Sequence, residues 1–135
     1  MDAIERLTQA LRCLPGVGPK SARRMVYHLL QQQRSRGLHL ADSMRHAMEC
    51  VSPCEICNNF TQGSRCHICT DDRRDPQLIC IVESASDILP IEQSQMFNGR
   101  YFVLNGKISP LDGLGPEEIG LPKLARYVQE AGVVE

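Results

Sequence analysis

Near the amino terminus, Ile4, Leu7, Leu11 and Leu14 recur at helical spacing, the pattern of a helix that buries one side. The stripe runs into Pro15-Gly16-Val17-Gly18-Pro19, which no helix crosses, so this first helix is predicted to end near Cys13. Past the break, Ala22, Met25, Val26, Leu29 and Leu30 follow an i, i+3, i+4, i+7, i+8 pattern and predict a second helix over about Pro19 to Gln32. Pro19 suits its first position, where an N–H would be unpaired in any case. Leu40, Ala41, Met44, Ala47, Met48 and Val51 make a third helical stripe that leads into the cysteine-rich middle of the chain.

The period then changes. After the polar stretch Asp71 to Pro76, read as a solvated linker, Leu78-Ile79-Cys80-Ile81-Val82-Glu83 is a short, β-branched apolar run, as expected of a strand buried on both faces. Ser84 to Ser94 reads as helical with a break or kink at Pro90, and Tyr101-Phe102-Val103-Leu104 as a second strand. A strand, a helix and a strand in that order predict a parallel α/β unit. Gly106 to Gly115 is a glycine and proline loop, Pro116 to Ala131 a final helix, and Val133-Val134-Glu135 the opening of another strand. Two parallel strands bury an α/β layer poorly, so the sheet is expected to be a piece of a larger one.

The cysteines change the picture most. Cys54-Glu55-Ile56-Cys57 and Cys66-His67-Ile68-Cys69 are two CxxC pairs with eight residues between them, a spacing that lets four thiolates converge on one ion, with zinc the expected metal. Four thiolates would fill the coordination sphere, which argues for a structural ion, one per chain, over a hydrolytic one. Disulfides are the alternative. Cys13, Cys50 and Cys80 sit in apolar or helical contexts and are expected to be buried small hydrophobes.

At 135 residues the chain can hold one domain or a few small ones, and a metal knuckle favours small modules. The net charge of −1 conceals an asymmetry: residues 1–36 carry seven Lys or Arg against two acids, +5, and the rest carries −6. That suggests a nucleic-acid contact at one pole, with a solvated charged face as the alternative. The amino terminus lacks a basic-then-apolar signal layout and no apolar run reaches membrane-span length, so a cytoplasmic protein without a membrane partner is expected.

Leu14-Pro15-Gly16-Val17-Gly18-Pro19-Lys20 between two helices is a helix-hairpin-helix signal. Gly16 and Gly18 leave backbone N–H groups bare for a phosphate, and Lys20, Arg23 and Arg24 lie on the second helix roughly opposite Ala22, Met25 and Leu29. Cations outward and apolar residues inward suit sequence-independent DNA binding; a plain tight turn with solvated arginines is the alternative. Glu83, at a strand carboxyl end, could hold magnesium or polarise a phosphoryl group, with Asp87 the next acid one turn on; capping or surface acids are the other reading. His28, His39, His46 and His67 show no catalytic pairing, and Asp112-Gly113-Leu114-Gly115-Pro116 resembles a phosphate loop only loosely.

In order, Leu14 to Ala22, the four-cysteine knuckle, Ile79-Cys80-Ile81-Val82-Glu83-Ser84 and Leu111-Asp112-Gly113-Leu114-Gly115-Pro116 closely resemble the RecR family of bacterial recombination mediators over nearly the whole chain. The resemblance implies an α+β, multi-module chain: a helix-hairpin-helix domain (1–52), a four-cysteine zinc finger (53–76) and a partial α/β Toprim domain (77–135). It further implies a homo-oligomer, dimer or tetrameric ring, that clamps DNA, with Lys20 and Arg24 matching the hairpin cations and Glu83 the Toprim acid. The family acts with RecO and RecF to load RecA on gapped DNA coated by single-strand binding protein. Its members continue past this point with the rest of the Toprim sheet and a C-terminal oligomerisation segment, so the Toprim half is expected to be truncated. The implied role is a non-enzymatic mediator. The alternative, a magnesium-dependent Toprim phosphoryl-transfer enzyme such as a nuclease, primase or topoisomerase relative, needs a downstream Asp-x-Asp pair that the sequence lacks.

Overall fold

The computed structural model describes residues 2–106 and 109–135; residues 107 and 108 of the predicted glycine and proline loop lie outside it. The chain divides into two units, 1–49 and 50–135.

In the first unit, α1 (Ala3–Leu11) starts at Asp2, whose carboxylate accepts from the Glu5 N–H at 2.8 Å and satisfies one of the orphan first-turn donors. Leu14 N–H to Leu11 O and Val17 N–H to Leu14 O, each 3.2 Å, close the turn that follows. Gly16 stands at φ +80°, left-handed backbone that explains a glycine at this point of the hairpin. α2 spans Pro19–Gln32 as the periodicity predicts, with Ala22 and Val26 wholly buried beneath it. Met25, predicted on the inward stripe, is instead exposed. α3 (Arg34–Cys50) begins six residues ahead of its apolar stripe and buries no side chain.

The second unit opens with a two-stranded antiparallel ribbon, β1 (Ser52–Pro53) with β2 (Phe60–Thr61), which brackets the first CxxC pair. β3 (Ile79–Val82) and β4 (Arg100–Val103) then pair in parallel, Ile79 beside Arg100 through Val82 beside Val103. Between them run a 3-10 turn (Ala85–Asp87) and a short α4 (Ile88–Gln93), so the irregularity predicted at Pro90 falls instead at the junction before Ile88. Gly99, entering β4, has the Leu78 carbonyl oxygen only 2.5 Å from where a Cβ would sit, so only glycine fits there. α5 (Leu121–Ala131) starts five residues later than expected, because 116–120 forms turns that end at Gly120 in left-handed backbone.

Both edges of this two-stranded sheet are covered. Along β4 the knuckle docks, Val103 N–H donating to Cys57 O at 2.8 Å and Asn58 Nδ2 to Val103 O at 2.9 Å. Along β3 lies the chain end, with Ile79 N–H donating to Glu135 O at 2.8 Å and Val134 N–H to Gln77 O at 2.8 Å. On one face Val82, Tyr101, Val103 and Ile88 join the knuckle cysteines and Ile68 in a single core. On the other, Phe102 meets Tyr127 of α5, ring centroids 5.8 Å apart. Its register neighbour Ile81 is about half exposed, so β3, expected to be buried on both faces, is covered on one. Of the three other cysteines expected to be buried, Cys13 is exposed and Cys50 and Cys80 are half-buried.

Candidate metal centre and cationic helix face

Cys54, Cys57, Cys66 and Cys69 are all buried and their Sγ atoms lie within 4.8 Å of one another. Cys54 Sγ is 3.9 Å from Cys69 Sγ, and Cys57 Sγ 3.6 Å from Cys66 Sγ. A tetrahedral ion with Zn–S bonds near 2.3 Å needs S···S edges of about 3.8 Å, so the donor set fits zinc in number, type and spacing. At these distances no disulfide joins the four, which sets aside the disulfide reading in this structure.

Local backbone shapes the cage. Asn58 takes φ +69° directly after Cys57, and Asn is among the few residues that enter this region readily. The turn is fixed by Asn58 N–H to Cys54 O at 3.0 Å and Cys54 N–H to Asn59 O at 2.6 Å. Backbone N–H groups also point at the sulfurs: Cys66 to Cys54 Sγ at 3.3 Å, Asn59 to Cys57 Sγ at 3.4 Å, Cys69 to Cys66 Sγ at 3.5 Å. Such donors favour thiolate over thiol. Left to share protons, the sulfurs split: donating to Cys66 pushes Cys57 up to about 12, hydrogen bonds to Cys57 and Cys66 push Cys69 up, and accepting from Cys57 pulls Cys66 down. A like-charged cluster resists full ionisation unless a cation is added to it. Arg65 and Glu55, one from each loop, pair at 2.9 Å across the outside.

In the first unit, Lys20, Arg23 and Arg24 are exposed on α2, opposite the buried Ala22 and Val26. With Pro19 and Tyr27 they line a shallow surface groove of about 300 Å³. Gly18 caps α2 without a side-chain hydrogen bond and, like Gly16, has nothing within 4 Å of an added Cβ. The hairpin glycines are therefore open, although Gly18, at φ −92°, is in backbone that any residue adopts. Tyr27 was invisible as a site residue by motif; its i+7 spacing from Lys20 was the available signal.

Glu83 and Asp87 do not converge with further acids: among the described residues the four cysteines form the single cluster suited to a metal. Asp87 is occupied in a capping box, its carboxylate accepting from Ser84 N–H at 3.2 Å while Ser84 Oγ accepts from Ser86 N–H. Glu83 is exposed at the carboxyl end of β3, its carbonyl accepting from Gly106 N–H at 3.3 Å. The stretch 71–76, read as solvated, holds a partner network instead: Arg74 pairs with Glu92, whose other oxygen accepts from Tyr101 Oη at 2.5 Å. Its hydrogen bond from Arg74 holds the Glu92 carboxyl below the usual range, and burial raises the Tyr101 hydroxyl. Asn58, reading as a loop polar residue, joins three elements by accepting from Lys123 Nζ at 2.5 Å as well as donating to β4.

Among the described residues no helix is long and apolar enough to cross a membrane. Family models match the chain in three consecutive segments: RecR helix-hairpin-helix at residues 4–48, RecR four-cysteine zinc finger domain at 51–71, and Toprim domain at 77–131. Recombination protein RecR of Legionella pneumophila (strain Philadelphia 1) is 58% identical over the whole chain, which covers 68% of that relative. The same protein of the Corby strain is 61% identical over 95% of the chain, and that of Coxiella burnetii 50% over 97%, covering 65% and 66% of the relatives. The chain thus spans about two thirds of the length of the curated relatives it matches. With an open cationic hairpin, a closed four-thiol cage and a parallel α/β unit in the matching order, this chain belongs to the RecR family.

Proposed function

We propose that the chain is a cytoplasmic, DNA-binding mediator of recombinational repair, which works with RecO and RecF to place RecA on gapped DNA coated by single-strand binding protein, and is not itself an enzyme. The observation that carries the DNA contact is the α2 face on which Lys20, Arg23 and Arg24 stand exposed beside the open Gly16 and Gly18, with no acid on that helix. Such a face neutralises phosphates without reading bases. Cys54, Cys57, Cys66 and Cys69 would hold one structural zinc, which fixes the knuckle against β4. Asp87 serves as a cap, and among the described residues the one cluster suited to a metal is the four cysteines rather than a set of acids at Glu83, which favours a partner-binding acid at Glu83 over magnesium-dependent phosphoryl transfer. In this reading the modules remain 1–52, 53–76 and 77–135.

Three cations reach few phosphates, so useful affinity requires several copies joined as a dimer or ring. The first unit offers a surface for that: Leu7, Leu14, Leu38, Met44 and Met48 are exposed around an apolar groove of about 750 Å³. Two substitutions test the proposal in one titration series. Lys20→Ala with Arg24→Ala should weaken binding alike for all DNA sequences and lower the log–log salt slope by about one for each phosphate no longer neutralised. Leu7→Asp should dissociate the assembly and reduce DNA affinity together. A monomer that binds DNA as tightly as the assembled protein would refute the clamp.

A further inference from the structure

We propose that Tyr27 is a base-stacking residue that makes the α2 groove select single-stranded over duplex DNA. This rests on the α2 face being the DNA contact, and goes beyond it by naming what the site prefers.

Lys20, Arg23, Arg24 and Tyr27 follow i, i+3, i+4, i+7 along α2 and therefore form one stripe. A helical tyrosine leans over the turn that precedes its own Cα, which here carries Arg23 and Arg24. Tyr27 is 45% exposed and lines the same groove as the three cations. It stacks on no other aromatic ring: among the described residues the ring-to-ring contacts are Phe97 with Tyr101 and Phe102 with Tyr127, both in the other unit. No hydrogen bond of its hydroxyl is present either among the described residues.

Cations interleaved with an exposed aromatic ring make a surface on which a flexible strand can lay its phosphates and stack a base. Phosphate contacts alone cannot distinguish a strand from a duplex by its bases. An aromatic face can, because duplex bases are already stacked on each other and only an unpaired base is available to it.

The 135-residue protein is titrated at one fixed salt concentration with three probes: a thymidine oligonucleotide, an abasic strand of the same length, and a duplex. Tyr27→Ala should lower affinity for the thymidine strand roughly tenfold, and leave the abasic strand and the duplex within about twofold. Tyr27→Phe keeps the ring and should bind all three like the parent. Equal losses on strand and duplex, or a loss in Tyr27→Phe as large as in Tyr27→Ala, would overturn stacking. The double variant Lys20→Ala, Arg24→Ala separates this from the underlying reading: it should weaken all three probes, and if it weakens none the α2 face is not the DNA contact. Unchanged far-ultraviolet circular dichroism of each variant keeps misfolding out of the comparison.

Discussion

The two units solve the same problem, too few residues for a large core, in opposite ways. Residues 1–49 bury only Thr8, Ala22 and Val26 among the described residues, and their third helix buries nothing. Residues 50–135 gather a core that includes Tyr101, Phe102, Ile68, Val82 and four thiols. The first unit leaves its apolar groups outside, where a second copy can cover them; the second closes on itself, with a cation-ready cage in place of missing apolar volume. One unit leaves an apolar surface that association could cover, and the other a thiol cage that an ion could fill.

The largest expected effect follows from that difference. Structural zinc contributes about 10 kcal/mol or more to the folding of small finger peptides, and here the cage is part of the core that includes β4. Cys66→Ser, or chelation of the purified protein, should therefore unfold the 50–135 unit while α1 and α2 keep their helical signal. Metal content with circular dichroism before and after chelation checks this. Retention of structure by the metal-free protein would show that the apolar core suffices without the cage.

Next in size are apolar truncations, which should divide the two units. Phe102 is fully buried against Tyr127, so Phe102→Ala should cost about 3–5 kcal/mol through the cavity it leaves. Leu38, 70% exposed, should cost less than about 0.5 kcal/mol as Leu38→Ala in dilute protein. At high protein concentration the Leu38 variant should fall behind the parent, because association stabilises whatever it covers. Denaturant melts at two concentrations measure both; a concentration-independent Leu38→Ala would mean that its groove is not a protomer contact.

How much of this was legible in the sequence also differs between the units. α2 was readable to its ends because Pro19 starts it and a 3.6-residue apolar stripe runs through it, both local signals. The cage was readable because CxxC spacing is local too. Contacts between distant residues were not. Arg74 looked solvated in a run of charges, yet its carboxylate partner is 18 residues away in α4. The apolar run 78–83 looked buried on both faces, but α5 covers Phe102 of β4 and leaves Ile81 of β3 exposed, a fact about helix placement rather than periodicity. Of the candidate site residues, the four paired cysteines and Asp87 received definite partners; of the residues expected inside, Met25 and Cys13 turned outward because the unit that holds them has so little interior.

The smallest effect expected is also the one that reads the two units by pH. In the first, Arg45 and Glu49 pair at 3.6 Å with side chains 77% and 65% exposed, and such pairs contribute about 0–1 kcal/mol. In the second, Arg74 and Glu92 pair with side chains only 17% and 23% exposed, and Tyr101 donates to the same carboxylate. The Glu92 carboxyl is held below its usual range by the Arg74 hydrogen bond. A group with a depressed folded value stabilises the protein above its unfolded value, about 4.3 for Glu, and loses that contribution as pH falls through the folded one. Glu92→Gln should thus cost about 1–2 kcal/mol at pH 7. The gap between variant and parent should close as pH drops below about 4, whereas Glu49→Gln should show almost none at any pH. Denaturant melts from pH 7 down to pH 3 provide the test, and a Glu92→Gln deficit that stays constant across that range would assign the cost to packing of the side chain rather than to its charge.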